Sequence, residues 1–306
     1  VGLRTLAAVI AVSTAWNAAR HAGWAPAAAE LFAMGHRAVA LDGAALHADA
    51  LAVRETVRAA KGELVALFAP ELARDEAGRP RGAGLVSPRD DVRAPAIAAA
   101  RAAGAAALAA GTTRVVLRAG ELPDVDPARE ARWAERLVRE GRTDALAAEV
   151  RASVDGARRD RDRFVEALCR ALFELTRALP DVEWLLETPS RAGGLPRPDE
   201  AEAVFAELPG RRLGWWHDAA HAARLHALGA VPADEWLARL GPRTGGVTIS
   251  DWTPSASGLP PGAGTVAWPA LRAQLGSSMT RVLRLDASFP APLLHDALRE
   301  SQSLGL

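Results

Sequence analysis

Short apolar runs alternate along this chain with longer stretches in which apolar residues recur every three or four positions. The first pattern predicts strands and the second amphipathic helices. Strands are expected over 6–12, 38–41, 64–68, 114–117, 183–186, 213–216, 247–249 and 282–285. Leu51, Val53 and Val57 mark one intervening helix; Phe164, Leu168, Leu172 and Leu175 mark another. Gly35, Gly62, Gly111 and Gly276 stand where helices give way to strands. Eight such repeats predict a closed (β/α)₈ TIM barrel, an α/β fold, as a single domain over 1–306. An open doubly wound sheet is the alternative, but no Gly-x-Gly-x-x-Gly follows the first strand. The fourth connection is the longest and should hold helices near 127–140 and 143–179. Segments 75–91 and 252–264 are rich in Gly, Pro, Ser and charge, and are expected to be loops over the active face.

Two of the predicted strands end abruptly in a carboxylate. Leu185-Leu186-Glu187-Thr188-Pro189 is one; Trp215-Trp216-His217-Asp218-Ala219-Ala220-His221 is the other. A buried parallel strand looks like this when its last inward residue reaches a site at the carboxyl end. The Asp-x-x-His spacing then brings two candidate metal ligands to one strand exit.

In this order the motifs resemble the xylose isomerase-like TIM barrels, which include sugar-phosphate isomerases and epimerases and the family-two AP endonucleases. Ser13-Thr14-Ala15-Trp16-Asn17 resembles the family's opening after its first strand. Gly35-His36-Arg37-Ala38-Val39-Ala40-Leu41 resembles its second-strand element. Glu187 matches its fifth-strand metal ligand, and Asp218 with His221 its sixth-strand Asp-x-x-His. Leu259-Pro260-Pro261-Gly262-Ala263-Gly264-Thr265-Val266-Ala267-Trp268 resembles the glycine loop before the last helix, the most specific single match.

The resemblance implies sugar or sugar-phosphate isomerase or epimerase chemistry at the C-terminal face, on a small polyhydroxylated substrate. It implies a divalent cation (Mn, Mg or Zn) held by Glu187, Asp218, His221 and, near the last strand, Asp286. Glu187 and Asp218 are the candidate catalytic residues. Asn17, Arg118, His217, Ser250, Trp252 and Arg284 are candidates for contact with substrate. The departures matter equally. Ala40, Phe68, Arg118, Thr248, Gly258 and Arg284 stand where the family usually has Glu or His. A permanently charged guanidinium at 284 would repel a metal and pair with Glu187 and Asp218. No tightly held cofactor is therefore expected, and a divalent cation stays the alternative. A second functional reading follows: a catalytically degenerate barrel that binds a small ligand or a partner protein.

Composition narrows this further. The 306 residues carry 37 basic and 37 acidic side chains, a formal net charge of zero, which gives no case for nucleic acid or an anionic membrane. The single cysteine, Cys169, precludes an internal disulfide, suits a reducing cytoplasmic setting, and reads as a small buried apolar residue. Arg4 followed by Leu6 to Val12 imitates a signal peptide, but this stretch is needed as the first strand for closure. His47, His226 and His295 are expected on helix surfaces.

Overall fold

The structure, a computed structural model, describes residues 9–42, 49–70 and 84–306. Eight parallel strands close into a barrel: β1 (Ile10–Ser13), β2 (Ala38–Leu41), β3 (Glu63–Phe68), β4 (Arg114–Leu117), β5 (Glu183–Glu187), β6 (Leu213–Asp218), β7 (Thr244–Ile249) and β8 (Thr280–Leu283). They follow chain order around the barrel. Closure runs through β1, which pairs Ile10 with Arg281 of β8 and Val12 with Val39 of β2.

Strands β2 and β4 fall on the expected residues, and β5, β6 and β7 run longer. Strand β8 stops at Leu283, two residues early, which places Arg284 just beyond the last rung. Residues 6–8, His47 and 75–83 lie outside the described residues. The helix expected over 143–179 is two helices, Asp144–Ala157 and Arg161–Ala178. Gly156 weakens the end of the first, and Arg158 turns away to pair with Glu200 at 2.8 Å. Leu51 points to solvent, while its helix buries Ala50 and Val53. Segment 252–264 is not a plain loop: Asp251–Thr253 pairs with Ala256–Leu259 as an antiparallel hairpin. His226 and His295 are exposed on helices and Cys169 is buried, as expected. No helix among the described residues is long and apolar enough to cross a membrane.

Strand alternation sorts the side chains into two cores. Val39, Leu41, Leu67, Val115, Leu117, Trp184, Leu186 and Trp215 face the helices. Ala11, Ala38, Ala40, Ala66, Phe68, Val116, Leu185, Trp216 and Val282 fill the barrel. The interior is lopsided: alanines on β1 to β3 leave room that Trp216 and Phe68 occupy. Those two rings meet edge to face, with centroids 5.3 Å apart. The Trp216 indole donates to Thr248 Oγ1 at 2.8 Å, which gives its buried N–H a partner. Thr248, where the resemblance drawn from the sequence implies a histidine, is therefore occupied as a packing partner.

Trp216 also dictates Gly246. A Cβ there would sit 2.2 Å from the indole ring, too close for any real contact. We predict that Gly246→Ala lowers unfolding stability by about 1–3 kcal/mol through overpacking. Adding Trp216→Phe, which removes the obstructing ring, should recover part of that loss. A double-mutant cycle by urea denaturation checks this, and strictly additive losses would contradict it.

Candidate active site

The register of β4 on β5 pairs Arg114 with Glu183 and Leu117 with Leu186. The same register, carried one residue further, sets Arg118 opposite Glu187. Arg118 Nε donates to Glu187 Oε2 at 2.8 Å. Across the barrel, Arg284 Nε lies 2.8 Å from Asp42 Oδ2, and its Nη1 is 3.6 Å from Glu187 Oε1. The Arg284 guanidinium also lies over the Phe68 ring, 5.4 Å from its centroid. A chain of alternating charge, Asp42–Arg284–Glu187–Arg118, thus covers the apolar interior at its carboxyl end.

Glu187 is 2% exposed. Burial by itself would raise its pKa. The charges of Arg118, His221 and Arg284, with the Arg118 hydrogen bond, outweigh burial and hold the carboxyl below its ordinary value.

Asp218 and His221 form the neighbouring unit. Asp218 caps the helix Ala219–Ala227, its Oδ1 accepting from the His221 backbone N–H at 2.9 Å. Its Oδ2 lies 3.7 Å from His221 Nδ1. His221 Nδ1 is 2.9 Å from the Thr188 carbonyl oxygen, an acceptor only, so Nδ1 carries a proton, and in the neutral ring the lone pair is on Nε2. One turn on, Arg224 reaches the same side and donates to Glu130 at 3.3 Å.

These groups border a cavity of about 390 Å³ at the carboxyl ends of the strands. Of the residues singled out in the sequence, Arg118, Asp218, His221, Ser250, Trp252, Arg284 and Asp286 line it. Three anticipated residues do not. Glu187 lies beneath, enclosed by its two guanidinium partners, and is absent from the lining. Asn17 is buried elsewhere, its amide donating to the Ala27 carbonyl and to Glu30, both at 2.8 Å. His217 points out of the barrel into a separate cavity, and burial pushes its pKa down to about 3. The expected Arg284–Asp218 pair is also replaced. Asp218 is engaged by its own helix, and Arg284 turns to Asp42 instead.

Two features escaped the sequence reading. Arg224 was visible in principle, because Asp218, His221 and Arg224 repeat at helical spacing on one face. Asp251 was not. Its buried carboxylate accepts from the Trp252, Gly262 and Val266 backbone N–H groups and the Trp268 indole, at 2.8–3.0 Å. It ties the hairpin to the glycine loop. A Cβ on Gly264 would fall 2.3 Å from Asp251 Oδ1, so that glycine is required.

No family model matches this sequence, and no curated protein does. Solved structures do. A xylose isomerase domain protein from Planctomyces limnophilus superposes with a TM-score of 0.64 at 16% identity, covering 98% of this chain and 97% of its own. The 3-keto-D-glucoside 4-epimerase of E. coli gives 0.66 at 14% identity, with 97% and 99% covered. A Thermus thermophilus protein, studied after soaking with ZnCl₂, gives 0.58 at 22% identity, with 98% of each chain covered. The fold is that of the xylose isomerase-like barrels.

Within that fold, Glu187, Asp218 and His221 are a candidate metal trio, with one ligand atom from each lying within 4.8 Å of the others. The trio alone suits a divalent cation. Its surroundings do not. Two permanent positive charges already rest on Glu187, and like unit charges about 4 Å apart repel by roughly 4 kcal/mol at an effective dielectric near 20. Asp286, the other anticipated ligand, instead accepts from the Ser288 backbone N–H at 2.9 Å, and hydrogen bonding from the Ser288 side chain and backbone holds its carboxyl below the usual range.

Arg284→Met should destabilise the fold on the order of 3 kcal/mol, because a buried carboxylate loses a partner; urea denaturation measures the loss. Glu187, with its pKa depressed on folding, contributes stability above its unfolded pKa and loses it as pH falls through the folded value. In Arg118→Met/Arg284→Met burial outweighs what remains of the opposing charge, that of His221, so the pKa should rise and the sign reverse. Acidifying from about pH 7 to about pH 5 should stabilise that variant but not the wild type, read by the same denaturation. Elemental analysis of the purified protein should give well under one equivalent of Mn, Mg or Zn per chain. One tight ion, lost in Asp218→Ala, would refute the argument from the guanidiniums.

Proposed function

We propose that this barrel is an isomerase- or epimerase-like enzyme acting on a small polyhydroxylated substrate, a sugar or sugar phosphate, in the 390 Å³ cavity. The observation that carries the reading is the meeting of Asp218, His221, Arg118 and Arg284 on one wall system at the strand ends. Moving a proton between neighbouring carbons of a hydroxyketone needs a base and a positive group for the charge that develops on oxygen. Asp218 Oδ2 accepts no hydrogen bond among the described residues, and the neutral His221 ring offers a lone pair on Nε2. Either is placed to take the proton. Arg118 and Arg284 supply the positive charge that a metal would supply, and the buried Glu187 holds both in place. The same guanidiniums, with Arg224, suit a phosphate or carboxylate on the substrate. Trp252 offers an aromatic face for a sugar ring. The resemblance of the fold to sugar epimerases supports this reading.

One observation favours the second reading, a barrel that binds without turnover: Glu187 is withdrawn from the cavity and neutralised from both sides. Solvent exchange separates the two. With ketopentoses, ketohexoses and their phosphates in D₂O, the enzyme reading expects deuterium at the carbon beside the carbonyl, followed by NMR. Asp218→Asn and His221→Phe should each slow this by about a hundredfold or more. Saturable binding with no exchange across the panel would establish the degenerate reading instead.

A further inference from the structure

Thr188 is the first residue beyond β5, and it is fully buried. In a parallel ladder a residue facing the neighbouring strand gives its N–H to one partner residue and takes an N–H from the residue two further on. Strands β5 and β6 keep this rhythm. The Trp184 N–H donates to the Arg212 carbonyl at 2.9 Å, and four residues on along both chains the Thr188 N–H donates to the Trp216 carbonyl at 3.0 Å. The next rung of that ladder would run from the Asp218 N–H to the Thr188 carbonyl. The Asp218 N–H donates to Thr188 Oγ1 instead, at 3.1 Å, while the hydroxyl gives its own proton to the Trp216 carbonyl at 3.4 Å. The carbonyl relieved in this way accepts from His221 Nδ1 at 2.9 Å.

One side chain thus replaces a rung of the sheet and releases a carbonyl for the imidazole. Local sequence favours the exchange. Branching at Cβ restricts χ1 of Thr188, which keeps the hydroxyl where it is. Pro189 follows, and a residue before proline is held in extended conformations, which fixes the direction of the carbonyl. The residue before is Glu187, so a single strand end carries both the buried carboxylate of the charge chain and the group that orients Asp218 and His221.

We infer that Thr188 is a positioning residue of the barrel mouth. Its hydroxyl holds the helix start at Asp218, and its freed carbonyl fixes the His221 ring with Nδ1 protonated. Its effect on turnover rests on the isomerase reading; its effect on the ring does not.

Thr188→Val keeps the shape and the branching and lacks the hydroxyl. The Asp218 N–H should then take the carbonyl as in an ordinary ladder, and His221 should lose its acceptor. Ring ¹⁵N NMR at about pH 9, where an ordinary imidazole is neutral, reads the outcome, with His221→Phe assigning the signals. Wild type and Thr188→Ser should show the Nδ1–H tautomer of His221, and Thr188→Val a mixture of both tautomers. Thr188→Ala should behave as Thr188→Val. With whichever ketose or ketose phosphate exchanges with solvent, Thr188→Val should lower kcat about three- to tenfold, the worth of one hydrogen bond, with KM unchanged. Thr188→Ser should restore it. Thr176→Val removes another buried hydroxyl, within the helix Arg161–Ala178, and should alter neither kcat nor the ring. Thermal melts confirm that each variant folds. A His221 spectrum unchanged in folded Thr188→Val and Thr188→Ala, or a kcat loss that Thr188→Ser does not restore, would overturn the inference. If no sugar exchanges, the isomerase reading fails, and the ring spectrum alone decides for or against Thr188.

Discussion

The barrel mouth depends on keeping one buried carboxylate ionised. Glu187 sits over an apolar interior built from alanines, Phe68 and Trp216, where an isolated charge would be untenable. Arg118 from the adjacent strand and Arg284 from across the barrel make it tenable, and Asp42 balances Arg284 in turn. This chain of charge does two things at once. It closes the packed interior against solvent, and it presents guanidinium N–H groups to the cavity above. The other end carries a smaller version, with Arg114 3.0 Å from Glu183 and bonded also to Thr280. The barrel is thus an apolar plug between two polar layers, and the upper layer opens onto a cavity.

That arrangement also sets the chemical character of the mouth. Where the resemblance drawn from the sequence implies a metal, this chain places guanidiniums, which bring positive charge of a different character. A guanidinium is planar, permanently charged and directional, and it cannot exchange ligands as a metal does. Asp218 is held in place by the helix it begins, and His221 by its contact with Thr188. Asp218 caps that helix, and the Thr188 carbonyl orients the imidazole. Their geometry is a product of local structure as much as of chemistry.

Much of this was legible in the chain. The eight strands, the parallel closure, and the placement of Glu187, Asp218, His221 and Arg284 at one end follow from the apolar runs and the polar residues that end them. Partner choice was not legible. Arg284 was matched with Glu187 and Asp218; it meets Glu187 but takes Asp42 in place of Asp218, because β8 adjoins β1 and β1 adjoins β2 around the closed barrel, a proximity of distant segments. Asp251 was overlooked for a related reason. Three of its four donors lie more than ten residues downstream, in a loop whose path depends on the carboxylate itself.

Periodicity by itself determined the repeating strand and helix order, and hence the barrel, because alternation of period two and of 3.6 records which face of each element is buried. It also determined which side chains emerge at the carboxyl ends. Tertiary structure alone decided whether each emerging group meets the cavity or lies beneath it. Glu187 and His217 occupy strand positions as prominent as that of Asp218, yet one is covered by guanidiniums and the other turned into a separate cavity. Exposure at a strand end depends on what neighbouring strands place above it, and that information is distributed over residues far apart in the chain.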